Sequence, residues 1–509
     1  MKTKMPDRPY IFYELTSSLC ATCLRKVEAK VVIQDGNVYL HKWCPEHRFQ
    51  KVLISTDAEY YKLSRQTLKP GQMPLRFNTP IKYGCPYDCG LCPDHEQHSC
   101  LTLVEITDQC NLTCPVCYSE SSPKRLTHRS MEQIRFMLDC VVRNEGTPDV
   151  VQISGGEPTI HPEFFEVLDE AKQRPIKHLM VNTNGIRIAN DAEFARRLKE
   201  YMPGFEVYLQ YDSSRPECLR ALRGEDLSDI RKRAIERLNE HNISTTLVVT
   251  LKKGLNDDEI GEIIDFALKQ RCVRGVTFQP IQDAGRLEDF DPATDRLTLG
   301  EVRQQILRQS SVFQPRDIVP VPCHPDCLAM AYALKLDGKP ALAGGSDALA
   351  DPADPPDPEG SPAGSPTGKV IPLTGLVDPQ LLLHGEGNTI MYEQNPQLRE
   401  LMFGLFSTGA SPSSSATSLR QLLCCLPQVL VPGHITYDNI FRVIIMQFLD
   451  AHNFDVRSVK KTCVHIVHPD GRIIPFDTFN LFYRDGKEHK LQALRRETTA
   501  LSLPILGTT

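Results

Sequence analysis

Three cysteines at C-x3-C-x2-C spacing, Cys110, Cys114 and Cys117, stand in the stretch Glu105-Ile-Thr-Asp-Gln-Cys-Asn-Leu-Thr-Cys-Pro-Val-Cys-Tyr118. Thiolates are the protein ligands of cubane iron–sulfur clusters. Three at this spacing can cap three irons and leave the fourth open, and no fourth cysteine stands at that point. An open iron separates a cluster that does chemistry from one that only carries electrons. The competing reading, a structural zinc knuckle, wants a fourth ligand nearby.

The chain has 18 cysteines, and most of the others also fall into groups. Cys20 and Cys23 are followed by Cys44-Pro-Glu-His47 across a hairpin-like segment turning at Asp35-Gly36. Paired knuckles at such spacing are a metal signal, and Cys20, Cys23, Cys44 and His47 can hold one zinc or rubredoxin-like iron tetrahedrally. Cys85, Cys89 and Cys92 repeat the C-x3-C-x2-C spacing, with Cys100 shortly after. Four thiolates close a cubane, so this set predicts an auxiliary electron-transfer [4Fe–4S] cluster. His95 and His98 are exposed loop histidines or outer-shell donors. A looser group, Cys323, Cys327, Cys424-Cys425 and Cys463, offers ligands for a third cluster, whereas Cys140, Cys218 and Cys272 read as small buried hydrophobes.

The elements that must position these thiols alternate regularly. Leu101-Thr-Leu-Val-Glu-Ile-Thr107 is alternating and rich in β-branched residues, so it reads as a strand that places the cysteine loop at its C-terminal end, where barrel enzymes keep their chemistry. Five further strands are expected at 149–154, 178–182, 205–211, 244–250 and 275–279, with amphipathic helices between them, among them 131–142, 162–173, 191–201 and 257–269. Such alternation means parallel βαβ units, and six are too few for a closed eight-stranded barrel. The expected fold is α/β: a partial (β/α)6 barrel with an N-terminal metal-knuckle module and a C-terminal α+β cap. The segments are 1–60 (knuckle), 61–100 (auxiliary cysteines), 101–300 (barrel), 301–343 (post-barrel, with Cys323 and Cys327), 344–370 (a Pro-rich disordered insertion) and 371–509 (cap). In the cap, 439–449 is apolar enough to read as a helix.

The triad with an aromatic, Tyr118, after its third cysteine resembles the radical S-adenosylmethionine (SAM) superfamily. The resemblance implies an open barrel, a site cluster on Cys110, Cys114 and Cys117, and a Gly155-Gly156-Glu157-Pro158 turn that meets the methionyl amino group. Asn182, Thr183 and Asn184 end the third strand with side chains able to bond ribose hydroxyls, and Gln210, ending the fourth, could face ribose or carboxylate.

Composition narrows the rest. Net charge −6 and pI ≈ 6.2 argue against nucleic acid, whose binding leaves a basic footprint. The opening residues lack a signal-peptide apolar region, and no apolar run is long enough to span a bilayer. A cytoplasmic, reducing setting is expected, in which cysteines serve metals.

The order of the cysteine motifs is similar to the tetraether synthase group, multi-cluster radical SAM enzymes once described as pterin methyltransferases. That likeness implies two or three [4Fe–4S] clusters, SAM, one mononuclear zinc or iron, and a flavodoxin- or ferredoxin-type reductant. It also implies coupling of lipid alkyl tails, with peripheral membrane contact and Ile440, Phe441, Ile444, Ile445, Phe448 and Leu449 lining an acyl tunnel. Pterin C-methylation is the second reading, with Asp477 and Asn480 as ring-edge partners, and a non-catalytic iron–sulfur electron carrier is the third. The chain departs from the group at Asp477, where relatives are expected to place a cysteine, and in the 344–368 insertion.

Overall fold

The computed structural model describes residues 7–67, 71–336, 369–372, 374, 439–484 and 486–502. The proposed insertion at 344–368 and Cys424-Cys425 lie outside them.

The N-terminal module is an antiparallel four-stranded sheet, β1 (Ile11–Leu19), β2 (Lys26–Gln34), β3 (Asn37–Cys44) and β4 (Arg48–Ser55), in sequential order. Its central hairpin turns at Asp35 and Gly36, both at positive φ, which glycine adopts without strain and aspartate more readily than most residues. One face buries Ala29, Val31, Val38 and Leu40 against Ala58. Lys42 ties the module to the C-terminal region: its ammonium donates to the carbonyls of Leu19, Ala451 and His452 at 2.6 to 2.8 Å. Burial pushes that amine down to about 8.

The second sheet has six adjacent parallel strands in chain order: β5 (Leu101–Thr107), β6 (Val150–Gly155), β7 (His178–Thr183), β8 (Phe205–Gln210), β9 (Thr245–Leu251) and β10 (Val273–Pro280). These are the six strands expected, within one or two residues at each end. Helices Met131–Glu145, Phe164–Lys172, Ala192–Leu198, Ser228–Glu240 and Ile260–Lys269 connect them. Their apolar faces pack with Val104, Ile106, Val151, Ile153, Val181, Val207 and Val249 in one continuous core, as a parallel sheet covered by helices requires.

Both edges of this open barrel are extended. The post-barrel chain contributes β11 (Val319–Pro320), β12 (Leu328–Leu336) and β13 (Lys369–Pro372), and the C-terminal region β14 (Ile440–Met446), β15 (Val464–Val467) and β16 (Ile473–Pro475). β14 runs parallel to β10 and antiparallel to β12, while β15 runs parallel to β5. The segment expected as a greasy helix at 439–449 is therefore a strand. Its run of Ile, Phe, Val and Ile is buried among neighbouring strands, so it shows no polar face, and β-branched content favours the extended form. The cap is mixed α+β as expected, with helices Phe476–Phe482 and Glu488–Ser502, but its strands are continuous with the barrel sheet.

Candidate active site

Cys110, Cys114 and Cys117 lie on the loop that leaves β5, above the C-terminal ends of the strands, with Leu112, Leu219 and Leu227 packed beneath them. Arg286, after β10, clamps this loop. Its backbone pairs with Cys117 in both directions at 2.9 and 3.0 Å, and its guanidinium donates to the carbonyls of Cys114 at 2.7 Å and Ser121 at 2.6 Å. Burial and the Glu157 charge push the Cys110 thiol up to about 12. Burial raises the Cys114 thiol as well, whereas Cys117 lies below its ordinary value, burial there being outweighed by hydrogen bonds from Ser119 and Ser121. A group that lets Cys110 and Cys114 ionise must therefore bring its own positive charge, as iron does.

The Gly-Gly-Glu-Pro turn is in place at the end of β6, lining the cavity and closing onto the cysteine loop. A Cβ on Gly155 would sit 2.3 Å from the Thr107 carbonyl, and one on Gly156 2.0 Å from that of Gln109. The glycines thus let the turn close onto the root of the cysteine loop, with Gly156 N–H donating to Thr107 and Glu157 N–H to Gln109. The Glu157 carboxylate is buried and occupied: it accepts from Thr159 N–H and hydroxyl, the Thr183 hydroxyl and Asn184 N–H. Asn184 in turn donates to Asn111 at 2.7 Å. Glu157, Thr183 and Asn184 therefore fasten the ends of β6 and β7 to the cysteine loop, and Pro158 starts the short turn that follows.

Asn182 and Gln210 keep atoms for a ligand. A line of side chains runs Gln210 to Asn182 at 3.3 Å, Asn182 to Ser154 at 3.5 Å, and Ser154 to the Tyr118 hydroxyl at 3.4 Å. Gln210, Asn182 and Tyr118 line one cavity with the three cysteines, Gly155 and Gly156, and Ser154 links Asn182 to Tyr118. Its lining includes buried carboxamide oxygens with no hydrogen-bond partner, at Gln152, Gln210 and Gln282. Apolar side chains are interleaved with them, Leu101, Leu103, Met446, Val464, Phe448 and Phe476, with Leu103 beside Gln152 across the β5–β6 pair. The Phe448 and Phe476 rings lie 4.1 Å apart, and Phe476 meets Tyr118 edge-on at 5.0 Å.

Charges on β8 and the helices after it went unread in the sequence. Asp212 has both carboxylate oxygens on Arg223, and both arginines that line the cavity come from this region. Arg231 donates to the Asn184 carbonyl and stands 3.6 Å from Asp212, while its Nε and Nη2 make no hydrogen bond. Burial lowers its pKa to about 10. The available signal was positional: Asp212 lies just beyond a barrel strand's C-terminal end, where site residues gather.

Nine of the other described cysteines fall into three further sets. Cys20, Cys23, Cys44 and His47 converge, all ligand atoms within 4.8 Å of one another, which suits a single tetrahedral ion. Cys85 and Cys89 interact directly and feel the charge of Cys92. Cys100 does not complete that set; its sulfur joins Cys323 and Cys463, all within 4.8 Å, with His98 Nε2 at 3.5 Å from Cys100. Cys327 is buried apart from them, near Asp477. His95 and His98, expected on an exposed loop, are buried or nearly so: His95 bonds the Thr462 carbonyl and His98 bonds Glu145. Asp477 and Asn480 are also fully committed, Asp477 to Leu449 N–H and the Thr462 hydroxyl, Asn480 to Arg484 and the Phe476 carbonyl.

An open parallel barrel with a three-cysteine loop above its first strand defines a radical SAM enzyme, and residues 104–267 match the radical SAM superfamily model. Residues 12–56 match a second model, an N-terminal zinc ribbon domain. Among described proteins, the chain is 29% identical over 500 residues to a 7,8-dihydro-6-hydroxymethylpterin dimethyltransferase of Methanocaldococcus jannaschii, spanning 93% of this chain and 95% of that protein. It is 30% identical to a GTP 3′,8-cyclase of Syntrophomonas wolfei, over 37% of this chain and 58% of the cyclase. Among solved structures, Streptococcus suis SuiB bound to S-adenosylmethionine is similar at 15% identity, with a TM-score of 0.33 over 38% of this chain and 44% of SuiB. The superfamily's cofactors are a [4Fe–4S] cluster and SAM. Among the described residues, no helix is long and apolar enough to cross a membrane.

Proposed function

We propose that this enzyme is a radical SAM C-methyltransferase whose substrate is a pterin. The carrying observation is the mixed lining of the cavity: unpartnered carboxamide oxygens together with aromatic and aliphatic side chains. A pterin is flat, with apolar faces and an edge rich in N–H donors, and buried acceptors left without donors are costly. Its faces suit Phe448 and Phe476, and its edge suits Gln152 and Gln282. The relative that aligns along nearly the whole chain carries a pterin dimethyltransferase name. The lipid-tail reading rests on the resemblance to the tetraether synthase group; its sequence correlate, an apolar helix at 439–449, is instead a sheet strand of which Met446 and, beyond its end, Phe448 line the cavity.

Together the reduced cluster and SAM supply a 5′-deoxyadenosyl radical able to take hydrogen from carbon. The chain's own residues do the positioning. Cys110, Cys114 and Cys117 hold the cluster, and Arg286 fixes their loop. Arg231, with N–H groups to spare beside the cysteine loop, suits the SAM carboxylate. Gln210, Asn182 and Tyr118 would offer hydrogen-bonding groups to the sugar of SAM. The apolar lining side chains would keep water from the reacting atoms. Zinc is assigned to Cys20, Cys23, Cys44 and His47. Auxiliary iron–sulfur centres are assigned to Cys85, Cys89 and Cys92 and, separately, to Cys100, Cys323 and Cys463.

The test is anaerobic turnover of reconstituted protein with SAM, dithionite and 6-hydroxymethyl-7,8-dihydropterin, followed by mass spectrometry. A methylated pterin formed together with 5′-deoxyadenosine is expected, and Cys114→Ala abolishes both. Unmethylated pterin, with doubled-length alkyl chains in lipids of an expressing host, overturns the reading in favour of tail coupling.

A further inference from the structure

The outer face of the zinc-ribbon sheet carries exposed apolar side chains and lysines, with one exposed carboxylate, Glu28, between Lys26 and Lys30 on β2. Register places Leu15, Lys30, His41 and Lys51 in one row across the four strands, with Trp43 directly opposite Phe49 farther along the same face. Leu15 is 72% exposed, Trp43 53% and Phe49 58%. The cations are held in place: Lys51 lies 3.9 Å from the centre of the Tyr39 ring and Lys30 5.1 Å from that of Tyr10. Exposed apolar side chains gathered on one sheet face mark an interaction site, and two fixed ammonium groups on a chain of net charge −6 select for an acidic partner.

The face also lies close to the metal-binding thiols. Trp43 precedes Cys44, and the same end of the sheet carries Lys26, whose ammonium donates to the Cys85 carbonyl at 3.1 Å and whose N–H donates to the Tyr87 hydroxyl at 2.8 Å. A protein seated on Trp43 and Phe49 therefore rests at the end of the ribbon that touches the Cys85–Cys92 loop.

We propose that this face docks the electron donor, and that the donor is a small acidic flavoprotein of the flavodoxin type. The proposal rests on the radical SAM activity, which consumes one electron per SAM cleaved. The donor's flavin hydroquinone gives up one electron and one proton and becomes the semiquinone; the electron takes an oxidised [4Fe–4S] cluster from 2+ to 1+, and the proton goes to solvent. The exposed edge of a flavin ring is flat and apolar, which matches Trp43 and Phe49, and surrounding carboxylates match Lys30 and Lys51. Redox encounters are small, under about 1,200 Å² in total, a size that one face of a four-stranded sheet can provide.

Trp43 is the sole tryptophan, so metal-loaded protein labelled with 5-fluorotryptophan carries one fluorine, on this face. Titration with a flavodoxin is expected to shift that fluorine resonance at low salt and to lose the effect at high salt. The Leu15→Ser/Lys51→Glu double variant is expected to weaken binding and slow flavodoxin-driven 5′-deoxyadenosine formation by about tenfold or more, with dithionite-driven formation unchanged. An unmoved resonance, or a double variant with a wild-type flavodoxin-driven rate, overturns the proposal. A shift produced only by a ferredoxin, by phosphatidylglycerol vesicles or by raising the enzyme's own concentration overturns it in favour of that other occupant. Failure of the radical SAM reading is separate: wild-type protein would then form no 5′-deoxyadenosine even with dithionite.

Discussion

Burial lifts the Asp477 carboxyl to about 6, although Leu449 N–H and the Thr462 hydroxyl both donate to it at 2.6 and 2.9 Å. A carboxyl whose folded pKa exceeds its unfolded value near 3.9 gives stability that is fully present below about pH 4 and is lost as pH rises through 6. Asp477→Asn should therefore flatten the stability profile between about pH 4 and 6, by about 1–3 kcal/mol across the full window. Thermal melts of both proteins at several pH values check this; parallel profiles would sink it. At this scale the sequence disclosed which residues cluster better than what each one does. The cysteine triad and the glycine turn were legible because spacing along one loop fixes them. That Glu157, Thr183 and Asn184 fasten strands together, while Asn182 and Gln210 face the cavity, depends on hydrogen bonds between strands that no local spacing encodes.

Among elements, strand pairing joins barrel and cap, and a buried ion pair reinforces it. Arg484, just after the Phe476–Phe482 helix, donates to both oxygens of Glu105 on β5 at 2.8 and 3.2 Å, and its guanidinium lies 5.3 Å from the centre of the Tyr118 ring. Both partners are buried. Arg484→Ala leaves an uncompensated carboxylate inside the protein and is expected to cost about 3–5 kcal/mol. The Glu105→Gln/Arg484→Met double variant should recover much of that loss, as a denaturant-melt double-mutant cycle would show. Equal destabilisation by single and double variants would mean that packing, not pairing, dominates. The six barrel strands were legible from alternation because helices and strands differ in period. β14 was not: a short, wholly buried apolar run has no face to report, and only its β-branched content argued for a strand.

Across the whole molecule, Cys100, Cys323 and Cys463 bring three distant segments to one point. Chain proximity had assigned Cys100 to Cys85, Cys89 and Cys92; pairing of β15 with β5 carries it elsewhere, since Leu101 N–H donates to the Cys463 carbonyl. Cys100→Ser, Cys323→Ser and Cys463→Ser are therefore expected to lose the same iron and the same spectroscopic component, and Cys85→Ser a different one. Mössbauer spectra with elemental analysis of anaerobic protein distinguish these; Cys100→Ser sharing its loss with Cys85→Ser would restore the sequential grouping. Chelating the metals should also lower the melting temperature, because the ions bind the folded arrangement of ligands drawn from distant segments.

The strands that flank the barrel on both sides come from the last part of the chain: β14 beside β10 and β15 beside β5. On the ribosome, all six parallel strands emerge before either neighbour exists. The nascent barrel thus waits with two unpaired, apolar edges, the exposure that promotes wrongful strand addition. Synthesis of this enzyme is then limited by the interval between translating residue 280 and translating residue 467. Ribosome-profiled chains stalled within that interval should be the ones that recruit chaperones, and a chain truncated after β12 should accumulate in inclusion bodies however well its cysteines are supplied with iron.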